Sequence, residues 1–234
     1  DRIWRCFNIL SKLKPRMQKH YQTVGYIEDG IINTKLYRNI DKTPLRILWI
    51  LKEINGRDPG ECWDLRTFLN IREEGEGLFS YKKWKATYSL VIKVSSGLIQ
   101  QVSNYQLIPR VDKKSAEILS QIAVINIKKS PGQKSSKETE IALAFKENKN
   151  ILFDQIRDIN PQVIIGGSTL HHFYNNNLFI SKEDFKQNPW GTKKDGRIWI
   201  DAYHPNQRMI THRKYYEEVW KAVQSYLSMP NFLA

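Results

Sequence analysis

The sequence predicts an α/β fold, a single three-layer α/β/α domain built on a mainly parallel central sheet. Three observations carry that expectation. Short apolar runs at residues 46–51, 122–127 and 162–167 are continuous rather than alternating, as strands covered on both faces are. A fourth strand-like run, 197–202, stops just before Tyr203-His204-Pro205. Helical stretches at 81–99, 115–121, 137–159 and 215–227 lie among these runs, and strands alternating with helices form parallel sheets with helices on both faces.

Residues 1–44 read as an N-terminal basic helical extension packed on the domain formed by 45–234. In the first 20 residues Ile3, Trp4, Phe7, Leu10, Leu13 and Met17 recur at three-to-four spacing, with Arg2, Arg5, Lys12, Lys14 and Lys19 largely between them. That is the pattern of a basic amphipathic helix, with an interruption at Pro15. The loop 56–77 is rich in Gly and charge, and 128–137 is a Gly, Ser and Lys stretch directly after a strand. Neither has the spacing of a phosphate-binding Walker loop, and Gly166-Gly167-Ser168 lacks the Gly-x-Gly-x-x-Gly pattern of a dinucleotide site. Kinase-like and NAD-dependent readings therefore have no motif behind them.

Charge narrows the partners. The chain of 234 residues carries 37 Lys and Arg against 24 Asp and Glu, a net charge of +13, which suits nucleic acid or an anionic membrane surface. The apolar run Ile47 to Leu51 is far short of the roughly 20 residues that span a bilayer, so no spanning segment is expected, and the expected partner is DNA and not a membrane. Cys6 and Cys62 are too few for a disulfide framework, a four-cysteine zinc site or an iron–sulfur cluster, and a reducing cytoplasm is the expected compartment. A start at Asp1 rather than Met leaves room for a processed leader.

The segments after the strands hold the chemistry. Lys52-Glu53-Ile54-Asn55-Gly56 follows the first. Asn126 sits late in the second, with Lys128, Lys129, Ser130, Pro131 and Gly132 after it. His204-Pro205-Asn206-Gln207-Arg208 follows the fourth. If these strands are parallel neighbours, a carboxylate, a carboxamide and an imidazole meet on one rim, where α/β sheets place their sites. Each has a plain structural alternative: Glu53 as a solvated or capping carboxylate, Asn126 as the cap of its turn, His204 as a buried structural histidine. His171 and His172 suggest a metal, but adjacent residues on a helix do not share a face and no neighbouring ligand pair supports them, so a structural role and no metal are expected.

In these segments the sequence resembles the uracil-DNA glycosylase superfamily, particularly its bacterial and archaeal branches. Their Gly-Glu-x-Pro-Gly motif is matched at Glu53 and Gly56, their Thr-Asn-x-x-Lys motif by Asn126 and Lys129 with Pro131 and Gly132 beyond, and their Tyr-His-Pro-Ser segment by Tyr203, His204, Pro205 and the basic Arg208. The strand Val163 to Gly167, preceded by Asn160-Pro161, resembles the strand between the last two motifs. The resemblance covers about residues 45 to 225. Asn55 stands in place of Pro and Asn206 in place of Ser; Ser130 stands in place of a cluster cysteine, which implies that there is no iron–sulfur cluster, and no cofactor is expected.

The resemblance implies a monomeric enzyme that flips a nucleotide out of single- or double-stranded DNA and hydrolyses its glycosidic bond. Glu53 would orient water and stabilise the sugar cation, Asn55 would help orient the water or floor the pocket, and His204 would donate to the departing base. Asn126 would read the Watson–Crick edge, and Trp63 would stack on the base, with Tyr81 and Trp84 as alternatives. Lys128, Lys129, Asn206, Gln207 and Arg208 would contact DNA, together with Lys134, Lys137, Arg213 and Lys214. Asn55 and Gly56 stand where the branch strictest for uracil places a Tyr that blocks C5, so the expected base is uracil or a 5-substituted pyrimidine, including modified cytosines of phage DNA. The alternatives are a non-catalytic nucleic-acid-binding module and a metal-dependent nuclease. The latter has only Asp58, Glu61 and Asp64 near Glu53.

Overall fold

A computed structural model of the chain describes residues 25–54, 62–71, 77–80, 85–132, 136–174 and 179–227. The amphipathic stretch 1–20, Asn55, Tyr81, Trp84 and Lys134 lie outside the described residues. In chain order the strands are β1 (Ile27–Glu28), β2 (Gly30–Ile31), β3 (Ile47–Leu51), β4 (Trp63–Asp64), β5 (Ala123–Asn126), β6 (Val163–Gly167), β7 (Gly191–Lys194) and β8 (Arg197–Ala202). The helices are α1 (Thr34–Tyr37), α2 (Leu65–Leu69), α3 (Gly77–Ser80), α4 (Lys85–Gln100), α5 (Glu138–Ile159) and α6 (His212–Leu227).

The central sheet has the order β2, β5, β3, β6, β8, β7. Its four inner strands run parallel, whereas β2 and β7 pair antiparallel at the two edges. The sheet is thus mixed rather than mainly parallel throughout, because β7 and β8 are a hairpin and β2 arrives from the N-terminal side. Asp195 and Gly196 turn the hairpin at φ of 51° and 71°, the left-handed pair that a two-residue hairpin matched to strand twist demands. Residues 30–31, within the predicted N-terminal extension, are the β2 edge, and β1 pairs in parallel with β4 in a separate two-stranded ribbon.

Both faces of the sheet are covered. Ile47, Trp49 and Leu51 of β3 pack with Ile165 and Ile200 against α4 and α6. Leu48 and Ile50 pack with Ile125, Ile164 and Trp199 against α5. This alternation explains the unbroken apolar runs: each successive side chain finds a core, whichever face it points to. Helix α5 buries Ile141, Ala144, Phe145, Asn148, Leu152, Phe153, Ile156 and Ile159, one stripe at helical spacing, and ends on Asn160 in the left-handed region at φ 47°. Helices α4 and α6 approach at Gly97, where a Cβ would overlap the Tyr216 ring. Residues 115–121, predicted helical, form a 3₁₀ helix.

No helix among the described residues is long and apolar enough to cross a membrane. The expectation of a reducing compartment rested on there being only two cysteines, yet Cys62 is disulfide-bonded.

Candidate active site at the strand ends

Parallel pairing of β5, β3, β6 and β8 brings their carboxyl ends to one rim. Asn126 closes β5, Glu53 lies two residues beyond β3, Ser168 follows β6, and His204 lies two residues beyond β8. Gly167 lets these ends crowd together: a Cβ there would press on Leu51 and Pro205. The chain beyond β5 continues to pair with the chain beyond β3, through Ile127 N–H to Leu51 O at 2.9 Å, Lys128 N–H to Lys52 O at 3.0 Å and Gly132 N–H to Ile54 O at 2.7 Å.

That extension sets Glu53. Its side chain is 3% exposed, and its Oε2 accepts from Lys128 Nζ at 3.1 Å. Gly132 lies against the carboxylate so closely that a Cβ would overlap it. The second oxygen, Oε1, makes no hydrogen bond with a described residue. Lys128 is thereby placed at the rim, its ammonium 3.7 Å from Glu140 as well.

Asn126 is 1% exposed. The Asp29 carboxylate accepts both its backbone N–H, at 2.7 Å, and its Nδ2, at 3.4 Å. Asp29 also accepts from Lys129 Nζ at 2.6 Å and from Gln155 Nε2 at 2.8 Å, while Gln155 Oε1 accepts from Lys129 at 2.8 Å. An amide whose nitrogen faces a carboxylate can turn only its oxygen away, and Oδ1 of Asn126 is buried with no hydrogen-bond partner. Such an orphaned acceptor costs about 1–3 kcal/mol until something donates to it. Lys129, placed by the sequence among the phosphate contacts, is instead fully buried and spends its ammonium on Asp29 and Gln155. Burial pulls its pKa down and the Asp29 charge opposes that pull. It positions; it does not touch the surface.

His204 is held from three sides. Its backbone N–H donates to Ser168 Oγ at 2.9 Å, Pro205 seats against Gly167, and Tyr215 donates its hydroxyl to Tyr203 O at 2.8 Å. Nδ1 accepts the Asn206 backbone N–H at 3.1 Å, so the ring proton sits on Nε2. Burial, aided by the charge of Lys52, pushes the pKa down to about 4. The ring is therefore a neutral imidazole with a donor at Nε2. Asn206 contributes its main chain here. Gln207, read from the sequence as a DNA contact, is occupied: Oε1 accepts Met209 N–H and Ile210 N–H, and Nε2 donates to Ile210 O at 2.8 Å. It shapes the loop, which presents Met209, 79% exposed, and exposed Arg208. Met209 escaped the sequence reading because a lone methionine in a polar loop carries no pattern.

His171 and His172 do share a partner, contrary to expectation. They lie on a 3₁₀ turn, Leu170–His172, rather than an α-helix, and Nε2 of each faces Glu138 Oε1, at 2.7 and 3.0 Å. Glu138 Oε2 pairs with Lys52 at 3.1 Å.

Trp63 stands on the β1–β4 ribbon, tied to the rim by Ile27 N–H to Lys129 O at 2.7 Å, and its ring packs on Phe68 with centroids 4.9 Å apart. Lys137, Arg213 and Lys214 are exposed, the first paired with Glu140 and the second with Glu217. A polar recess of about 250 Å³ lined by Thr34, Asp64, Arg66, Thr67 and Asn70 lies elsewhere, and its two charged groups are spent on each other. The sequence matches no protein-family model and no curated relative.

Proposed function

We propose that the protein is a DNA glycosylase with a uracil-DNA glycosylase-like fold, which takes a flipped base into the strand-end rim and hydrolyses its N-glycosidic bond. The observation that carries this reading is the Asn126 amide, buried, clamped through its nitrogen by Asp29 and left with an unpartnered Oδ1. An acceptor in that state awaits an N–H, as the Watson–Crick edge of a pyrimidine provides. The placement of Asn126 and Glu53 at the ends of the neighbouring strands β5 and β3, with His204 beyond β8 across β6 on the same parallel rim, supports it further.

Breaking the bond develops positive charge on the deoxyribose and negative charge on the base. Glu53, with Oε2 held by Lys128, turns Oε1 to a water and to the sugar cation. His204 donates from Nε2 to the base oxygen as it gains charge; a neutral imidazole does this without first taking up a proton. Met209 is the apolar wedge that fills the vacated stack, a role closed to Gln207, and Arg208 and Lys128 meet phosphate. The base is uracil or a 5-substituted pyrimidine, and a modified cytosine of phage DNA would make the role defence rather than repair.

One observation favours the second reading, a nucleic-acid-binding module without turnover: Glu53 is buried in an ion pair with Lys128, as a purely structural carboxylate would be. Base release in EDTA from DNAs containing uracil, hypoxanthine, 5-hydroxymethylcytosine or its glucosylated form separates the two. Abasic sites made by the wild type and abolished by Glu53→Gln and His204→Ala are expected. DNA binding without abasic sites on any substrate selects the binding module.

A further inference from the structure

We propose that Glu138, His171 and His172 bind a divalent first-row metal ion, with Zn²⁺ the best match to two imidazoles and a carboxylate. The inference is independent of base release. One ligand atom from each residue lies within 4.8 Å of the other two. Glu138 opens α5, and the histidines occupy the turn after β6, so the cluster joins two elements that are each anchored in the core.

The scaffold is stiff where a site needs it. Thr169 Oγ1 donates to Ile50 O at 2.9 Å just before the turn, and Leu170 and Phe173, which flank the histidines, are buried. His172 stacks on Phe145, with centroids 5.8 Å apart and planes 21° apart. Lys52 holds Glu138 by Oε2 and so keeps Oε1 toward the imidazoles. The separations of 2.7 and 3.0 Å from that oxygen to the two Nε2 atoms are about 0.6 and 0.3 Å short of the ~3.3 Å between ligands of a tetrahedral zinc with bonds near 2.0–2.1 Å. An ion therefore enters by a small outward motion of side chains, two of which, Glu138 and His171, are about half exposed. That exposure leaves the remaining coordination position to solvent, the arrangement of an open rather than a closed zinc site.

The test is calorimetric titration of the metal-stripped full chain with ZnCl₂, repeated with Co²⁺ while its visible absorption is followed. One equivalent of metal is expected. Affinity should fall in His171→Ala and Glu138→Gln by more than about 100-fold, the upper end of what loss of an outer hydrogen-bond partner produces. His212→Ala, on α6, should leave it unchanged. Because His171 is half exposed, its removal does not threaten folding. A long-range ¹H–¹⁵N spectrum of the wild type adds a readout without mutation, in which zinc should move the ring nitrogens of His171 and His172 and no others. Absence of binding, binding that survives both variants, or shifts at His204 or His212 instead would overturn the assignment.

Discussion

One carboxylate oxygen of Asp29 receives both the main-chain N–H and the side-chain Nδ2 of Asn126, while the other receives the ammonium of a fully buried lysine, Lys129. The amide is thus aimed by a group 97 residues earlier in the chain. Removing one partner of a buried ion pair leaves an uncompensated charge, so Asp29→Asn and Lys129→Met should each lower unfolding free energy by about 3–5 kcal/mol. The double substitution should recover part of that loss. Urea unfolding of the four proteins measures the coupling, and strict additivity would show that the pair does not act as a unit.

Gly132 is the residue whose replacement should mimic loss of Glu53 without touching it. A Cβ in Gly132→Ala overlaps the Glu53 carboxylate, and overpacking of this kind costs about 1–3 kcal/mol. Base release should fall to the level of Glu53→Gln while urea unfolding shows only that modest loss. Wild-type turnover by Gly132→Ala would mean that Glu53 has no required position.

The histidine at the rim makes a pH prediction. The folded pKa of His204 is pushed down to about 4, below the unfolded value of about 6.5. Unfolding therefore takes up a proton between those limits. Stability from this group is complete above pH 6.5 and declines as pH falls toward 4, with a slope of at most about 1.4 kcal/mol per pH unit. His204→Gln should flatten the stability profile in that window. Base release should show no inflection from this ring between pH 5 and 8, whereas an ionisation near 6.5 in the rate profile would contradict a neutral, partly buried imidazole.

Beyond the strand ends, Arg208 and Met209 are exposed, and substitution of either should leave stability within about 0.5 kcal/mol. Their effects on DNA should differ in kind. Arg208→Ala should reduce the slope of log affinity against log salt by about one, the loss of a single phosphate contact. Met209→Ala should leave the salt slope alone and weaken base flipping, read from the fluorescence of 2-aminopurine opposite the target. Equal salt slopes in wild type and Arg208→Ala would remove Arg208 from the interface.

Much of the fold was written locally. The apolar runs of β3, β5 and β6 are continuous because each is buried on both faces, and α5 shows its stripe because only one face is. Even β7 left a local trace, the Asp195-Gly196 turn, although no hairpin was expected there. The antiparallel β2 edge had no such trace, since a strand as short as Gly30–Ile31 is decided by what lies beside it.

Residue types and their order along the chain placed Glu53, Asn126 and His204 at strand ends, because the carboxyl ends of parallel strands in one sheet share an edge whatever the intervening loops do. Whether a given polar side chain faces a ligand, the solvent or the interior was a matter of contacts between distant segments. Lys128 and Lys129 are adjacent and chemically identical, yet one pairs with Glu53 at the rim and the other is sealed against Asp29. The Glu138–His171–His172 cluster joins residues 33 and more positions apart for the same reason. Periodicity records which face of an element is buried; the partner waiting on that face is supplied by tertiary packing, to which a local pattern is blind.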